Sequence, residues 1–374
     1  MIRSGCSMRT NSRTIPTETF YTSTEYLSRM FDKKARKLRF QGKSIEEFQA
    51  WKQETAVKLK EIIGLDQMES SSLEPRMLET EQMNGYRREK WLIQTEPDVW
   101  MPFYILIPDG ISAGESRPVM IAPHGHGSAG KYSPASRTDI PAVAEAVDIY
   151  NYGYGVRFVE EGYIVFCPDA RGFGERREWM LQGEEEKAFL NSTCVALNNI
   201  AISLGRSLTG MWTWDLIRLI DYIVTRTDCT PGKIGCAGLS GGGLQTLWLA
   251  VMDERVQCAV VSGYFYGYKD SLLQYSYHCG CNYVPSLWTH VDMGDLGALI
   301  APRPMLIESG NKDELNGDRG MRNVTEQLDI TREAYSVWGQ EDRLQHFVFD
   351  GGHRWDGKET YSFVDRWLKY GSLS

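Results

Sequence analysis

No stretch of this sequence approaches the eighteen or so consecutive apolar residues that a membrane-spanning helix needs. The opening residues, Met1 to Thr24, are polar and hold no apolar core of the kind a secretory leader carries, so export is not expected. Positive charge is not in excess either. Asp and Glu number 49 against 41 Lys and Arg, a net charge of −8, which argues against a nucleic-acid-binding surface and leaves room only for a local basic pocket. Internal repeats are absent, which excludes propellers and solenoids. Low complexity is confined to residues 1 to about 20, rich in Ser, Thr and Arg and read as disordered. The eight cysteines (Cys6, Cys167, Cys194, Cys229, Cys236, Cys258, Cys279 and Cys281) are scattered. Three of them, Cys167, Cys236 and Cys258, stand in apolar strand-like runs where a thiol behaves as a small hydrophobe. Reduced cysteines in a cytoplasmic protein are the simplest expectation.

What is present is enough chain, 374 residues, for one large α/β domain and an appended segment. Two helices are expected early, since Thr22-Ser23-Thr24-Glu25 and Ser44-Ile45-Glu46-Glu47 each have capping-box spacing. After the second, Phe48, Trp51, Ala56, Leu59, Ile62 and Ile63 share one helical face, and Gly64 stops the helix. Residues 1–75 read as an N-terminal helical extension and 76–374 as the main domain, with an insertion at about 264–298. Met77–Met83, Asn84-Gly85 and Tyr86–Gln94 spell a hairpin. Val99–Ile107 is a further strand, and Pro102 inside it suggests an edge position. Strand-like and helix-like runs then alternate to the end of the chain. That pattern implies a mostly parallel, twisted sheet of about eight strands with helices on both faces.

The chemistry centres on Lys233–Gly243. The apolar run Ile234–Ala237 enters Gly238-Leu239-Ser240-Gly241-Gly242, a G-x-S-x-G, and a helical pattern from Leu244 to Met252 follows at once. Strand, tight turn and helix together are the context of a nucleophile elbow, in which small residues two before and two after the serine pack against each other. A serine hydroxyl needs a base to take its proton, and the base needs a carboxylate to orient it. Both follow in order. Asp313 comes just after Met305-Leu306-Ile307, and His353 comes after Phe347-Val348-Phe349 in Gly351-Gly352-His353. Asp318 or Glu314 remains an alternative to Asp313, whereas Glu308 would still lie on the strand. An oxyanion needs two backbone N–H groups, the first from Gly241 and the second from the loop holding His124-Gly125-His126-Gly127.

Other clusters invite weaker readings. His124-x-His126 has no carboxylate pair for a metal. His278, Cys279 and Cys281 lack a second ligand pair nearby, only His290 being close in sequence, so a structural role is favoured. Tyr264, Tyr266, Tyr268, Tyr275, Tyr277, Tyr283 and Trp288 in the insertion fit a substrate wall and ordinary packing equally well. Arg171 is expected to tie loops together, and Glu184-Glu185-Glu186 to open a solvated helix.

Together, His-Gly-x-Gly at 124–127, Asp-x-Arg-Gly-x-Gly at 169–174, Gly-x-Ser-x-Gly-Gly at 238–243, Asp313 and Gly-Gly-His at 351–353 resemble the α/β-hydrolase superfamily. Within it the chain looks like the acetyl xylan esterase and dienelactone hydrolase group of bacterial esterases, over roughly residues 76–374. The resemblance implies the backbone of His126 as second oxyanion donor. It implies a serine hydrolase that cleaves carboxylic esters, acetyl or carbohydrate esters among them, through Ser240, His353, Asp313 and an acyl-enzyme. No cofactor or metal is expected. The expected partner is a small-molecule ester, with no nucleic acid and no membrane, and self-association is left open. The extension and the insertion depart from the plain acetyl xylan esterase pattern. Two rivals stand beside this expectation, a prolyl oligopeptidase-like peptidase and a hydrolase-fold binding protein without activity.

Overall fold

Alternation of apolar residues along the central strands places successive side chains on opposite sides of one sheet, and each side builds its own core. Val119, Ile164, Cys236 and Ile307 feed one core, while their neighbours Met120, Val165, Ala237 and Leu306 feed the other. The computed structural model describes residues 21–179, 185–274 and 278–371. Cys6, Glu184, Tyr275 and Tyr277, singled out in the sequence, lie outside the described residues, as does the segment 1–20.

Among the described residues the sheet has nine strands, against about eight expected, in the order β1-β2-β3-β5-β4-β6-β7-β8-β9. They are β1 Arg76–Gln82, β2 Tyr86–Glu96, β3 Val99–Pro108, β4 Arg117–Ile121, β5 Ile164–Pro168, β6 Cys229–Leu239, β7 Val256–Ser262, β8 Met305–Gly310 and β9 Leu344–Phe349. β1, β2 and β3 pair antiparallel, and β3 joins β5 antiparallel. From β5 to β9 every pair is parallel. β1 is exposed along its whole length and carries charged and polar residues, which suits an unpaired edge. Gly85 turns the first hairpin with φ 84°.

Pro102 is not on an edge. It pairs with Leu92 of β2, and β3 lies between β2 and β5. The ladder to β5 starts only at Phe103, and the Pro102 carbonyl accepts from Asp169 N–H at 3.0 Å. The proline therefore stands at the end of that ladder, where its missing N–H interrupts no pairing.

The helices Leu208–Ile223 and Gly241–Met252 are buried along nearly their whole length on the first core. Helix Tyr154–Glu160 and Trp355, Phe363 and Trp367 cover the second. Helix Ile45–Ile63 buries Phe48, Leu59 and Ile63 in the first core, so it completes that core. Its cap is as the sequence suggests: Ser44 accepts from Glu47 N–H at 3.2 Å, and Gly64 ends the helix at φ 72°. The Glu47 carboxylate reaches Lys43 N–H. Helix Thr24–Lys34 differs. Ser23 caps it without a side-chain bond, and none of its residues is buried. No helix among the described residues is long and apolar enough to cross a membrane.

Candidate active site

β6 hands directly to helix Gly241–Met252, and the turn between them leaves one residue, Ser240, at φ 60° and ψ −121°. A non-glycine residue holds such a conformation only when its surroundings dictate it. Here the flanking glycines do so. A Cβ on Gly238 would stand 2.6 Å from the carbonyl of Gly242, and one on Gly242 would stand 2.3 Å from Pro123 O. Ser240 N–H donates to Ser262 O at the end of β7, at 2.9 Å, and Ser240 O receives the first helical bond, from Leu244 N–H.

Asp313 and His353 come from the next two strands. Past the end of β8, Asp313 accepts from Leu315 N–H through Oδ1 at 2.9 Å, which caps a short turn. Its Oδ2 lies 2.6 Å from Nδ1 of His353. The Asp313 side chain is 2% exposed and the His353 ring 22% exposed, so the carboxylate is sealed and the imidazole reaches the surface. The loop carrying His353 crosses the end of β8 because Gly310 has no side chain: a Cβ there would meet Gly352 O at 2.5 Å. The ring then lies over the end of β7. A Cβ on Gly263 would sit 3.0 Å from His353 Cε1. Ser240 and His353 therefore border the same corner, Ser262–Gly263.

The loop after β4 closes the third side. A Cβ on Gly125 would be 3.0 Å from Ser240 Cβ, and one on Gly241 would be 2.9 Å from His126 Nδ1. Gly241 is the first residue of its helix, where an N–H has no intrahelical partner. The carbonyl of His126 is held by the Tyr152 hydroxyl at 2.6 Å.

His124 is a different case. It is 1% exposed, its Nε2 accepts from Ala170 N–H at 3.1 Å, and Nδ1 lies 3.0 Å from Ser128 Oγ. Burial holds its pKa down to about 4, so the ring is neutral and acts as a strut between two loops. Glu308 is likewise structural. Fully buried on β8, it accepts from Ser262 Oγ, Asp356 N–H and Gly357 N–H, which anchors the chain just past His353. Burial raises its pKa. Neither anchoring role shows in the sequence, where a lone Glu at a strand end carries no signal.

The model of the Abhydrolase family matches residues 5–357. The chain belongs to the Abhydrolase family. It is 27% identical over 263 residues to YtaP, a hydrolase by name, of Bacillus subtilis (strain 168), covering 67% of this chain and 79% of that one. A Bacteroides fragilis NCTC 9343 structure named as an acetyl xylan esterase superposes with TM-score 0.71 at 21% identity, over 90% of this chain and 84% of that one. A glucuronoyl esterase from Solibacter usitatus superposes with TM-score 0.60 at 13% identity, over 96% of this chain and all (100%) of the other.

Two further features complete the surroundings of this Abhydrolase site. Arg171 binds Asp215 through Nε and a terminal nitrogen at 2.9 and 2.8 Å, and Glu96 at 2.8 Å. These donors are held by carboxylates of the protein, as a loop-tying role requires. In the insertion, Tyr264, Tyr266 and Tyr268 are buried: the Tyr264 hydroxyl donates to Asn282, and the Tyr268 ring stacks on Trp288 at 5.9 Å. Tyr264 and Tyr268 are thereby tied into the packing of the insertion. His278 lies among His126, His353 and Asp313, and burial first, then those imidazoles, lower its pKa to about 4.

Proposed function

We propose that the protein is a serine hydrolase of carboxylic esters. The observation that carries this reading is the 2.6 Å contact of His353 Nδ1 with a buried Asp313, set at the corner where the strained Ser240 stands. With Nδ1–H donated to Asp313, His353 Nε2 is left as the acceptor for the Ser240 hydroxyl proton. Ser240 Oγ attacks the ester carbonyl, and the Gly241 and His126 N–H groups hold the oxyanion. His353 returns the proton to the departing alcohol. Water, deprotonated by the same imidazole, then hydrolyses the acyl-enzyme and regenerates Ser240. The names of the structural relatives, an acetyl xylan esterase and a glucuronoyl esterase, support a carbohydrate ester as substrate. The seven cysteines among the described residues are all unpaired with one another, which supports a reducing compartment such as the cytoplasm.

The test is hydrolysis of p-nitrophenyl acetate and of acetylated and uronate-esterified sugars by wild type and Ser240→Ala. The reading expects activity on the esters, lost in the variant. Undiminished turnover by Ser240→Ala, or cleavage of proline-containing peptide amides in preference to every ester, refutes it.

A further inference from the structure

The ring of His126 lies near three cysteines, of which Cys279 and Cys281 are close in sequence and Cys194 is far from both. Cys194 begins helix Cys194–Ser203, while Cys279 and Cys281 stand in the insertion. One ligand atom each from His126, Cys194 and Cys279 lie within 4.8 Å of one another. Cys281 Sγ lies 3.5 Å from His126 Nε2. Zinc bound at about 2.3 Å to sulfur and about 2.0 Å to nitrogen makes a tetrahedron with edges of about 3.5 to 3.8 Å. The 4.8 Å bound exceeds those edges by about 1 Å, so the three side chains close in as the ion binds, and Cys281 joins them from its contact with His126.

The supporting backbone is built without help from the thiols. Asn198 Nδ2, one turn past Cys194, donates to Gly280 O at 2.8 Å and to Tyr283 O at 3.2 Å. Thr209 Oγ1 donates to Cys281 O at 2.6 Å. Gly280 lies so close to the helix that a Cβ would stand 3.1 Å from Val195 Cα. The insertion is thus fastened to the Cys194 helix, with Cys279 in the group of His126 and Cys194 and Cys281 against His126. Cys194 and Cys281 are buried, whereas Cys279 and His126 are half-buried and leave an approach for an ion.

We propose that His126, Cys194, Cys279 and Cys281 form a binding site for a zinc-class divalent ion beside the nucleophile. Three sulfurs and one imidazole nitrogen, with no carboxylate among them, suit zinc and disfavour magnesium or calcium. The ion clamps the loop 124–127 to the insertion and so fixes the backbone that lies against Ser240. It is a positioning device and takes no part in the ester chemistry. Sequence spacing conceals it, because the Cys279–Cys281 pair finds its partners in two other loops.

The test uses the full chain, stripped with a chelator under reducing conditions and then titrated with cobalt(II) and zinc. The proposal expects about one zinc per chain by atomic emission and the intense visible bands of tetrahedral thiolate-bound cobalt. Cys194→Ser and Cys279→Ser each weaken binding by about tenfold or more and remove the bands. Cys258→Ser, a change to a buried strand thiol outside the cluster, keeps them. Cys279→Ser lies in a half-buried loop and retains the native circular dichroism even if the buried Cys194→Ser does not. Absence of the cobalt bands in wild type, retention of full affinity by Cys279→Ser, or a Cys194–Cys279 disulfide in protein purified without reductant overturns the proposal. Covalent labelling of Ser240 is read separately, so the two conclusions fail independently.

Discussion

Nδ1 of His353 and Oδ2 of Asp313 meet at 2.6 Å across the end of β8, one group half-sealed and the other fully so. A buried carboxylate so placed orders the ring and fixes the tautomer in which the far nitrogen accepts. Asp313→Asn keeps the shape and loses that preference. On the proposed mechanism it lowers kcat by on the order of 10³ to 10⁴ and leaves KM nearly unchanged. Steady-state kinetics on p-nitrophenyl acetate check this, and a fall of less than tenfold contradicts it.

The glycines around the site are not equivalent. Gly242→Ala pushes a methyl group against Pro123 O, a backbone atom that cannot step aside. It destabilises the fold by about 1–3 kcal/mol and shifts the loop at 124–127, with a matching fall in kcat. Gly352→Ala, next to His353, meets only Lys312 O at 3.9 Å and is tolerated. Urea denaturation of both variants separates them. Equal losses contradict the steric account.

Three histidines, His124 buried and His278 and His346 half-buried, make stability depend on pH. His124, His278 and His346 are each held down to about 4 by burial, against an ordinary value near 6.5. Between those values the unfolded chain binds protons that the folded chain does not. The stabilisation is therefore complete above about pH 6.5 and declines as pH falls toward 4. The urea midpoint is expected to drop between pH 7 and 5 at fixed ionic strength. A flat profile over that range contradicts the burial of these rings as neutral groups.

Asp215 accepts from Arg171, Arg176 and Thr95 at 2.7 to 2.9 Å. Burial alone raises its pKa, but the two guanidiniums outweigh this and hold it at about 2. Asp215→Asn leaves two buried cations short of a counter-charge and costs about 3–5 kcal/mol. Below the unfolding temperature Ser240 remains as reactive as before. Thermal melts and inhibitor labelling of the variant check both halves, and a loss below about 1 kcal/mol contradicts the pairing.

Much of the fold is legible in the sequence because its signals are local. Asn84-Gly85 turns the hairpin, apolar runs make buried strands, and Gly64 stops a helix. Ser240 is found through its own flanking glycines, and Asp313 and His353 through their place just past strand ends. Signals that depend on the assembled sheet are not visible in the same way. Pro102 reads as an edge residue until the ladder beside it proves to start one residue later. Thr22-Ser23-Thr24-Glu25 has capping-box spacing with Thr22 as the cap, yet the helix starts one residue later, behind Ser23, and lacks the side-chain bond. The gathering of His126, Cys194 and Cys279 requires three loops from separate crossings of the sheet, and no spacing rule covers that.

The central claim is that Ser240 is a nucleophile activated by His353. A fluorophosphonate probe with intact-mass and peptide mapping measures it directly. The account predicts one adduct per chain, on Ser240, absent in Ser240→Ala and formed at least about a hundredfold more slowly in His353→Ala. An adduct on another residue, or labelling of wild type no faster than that of His353→Ala, contradicts it.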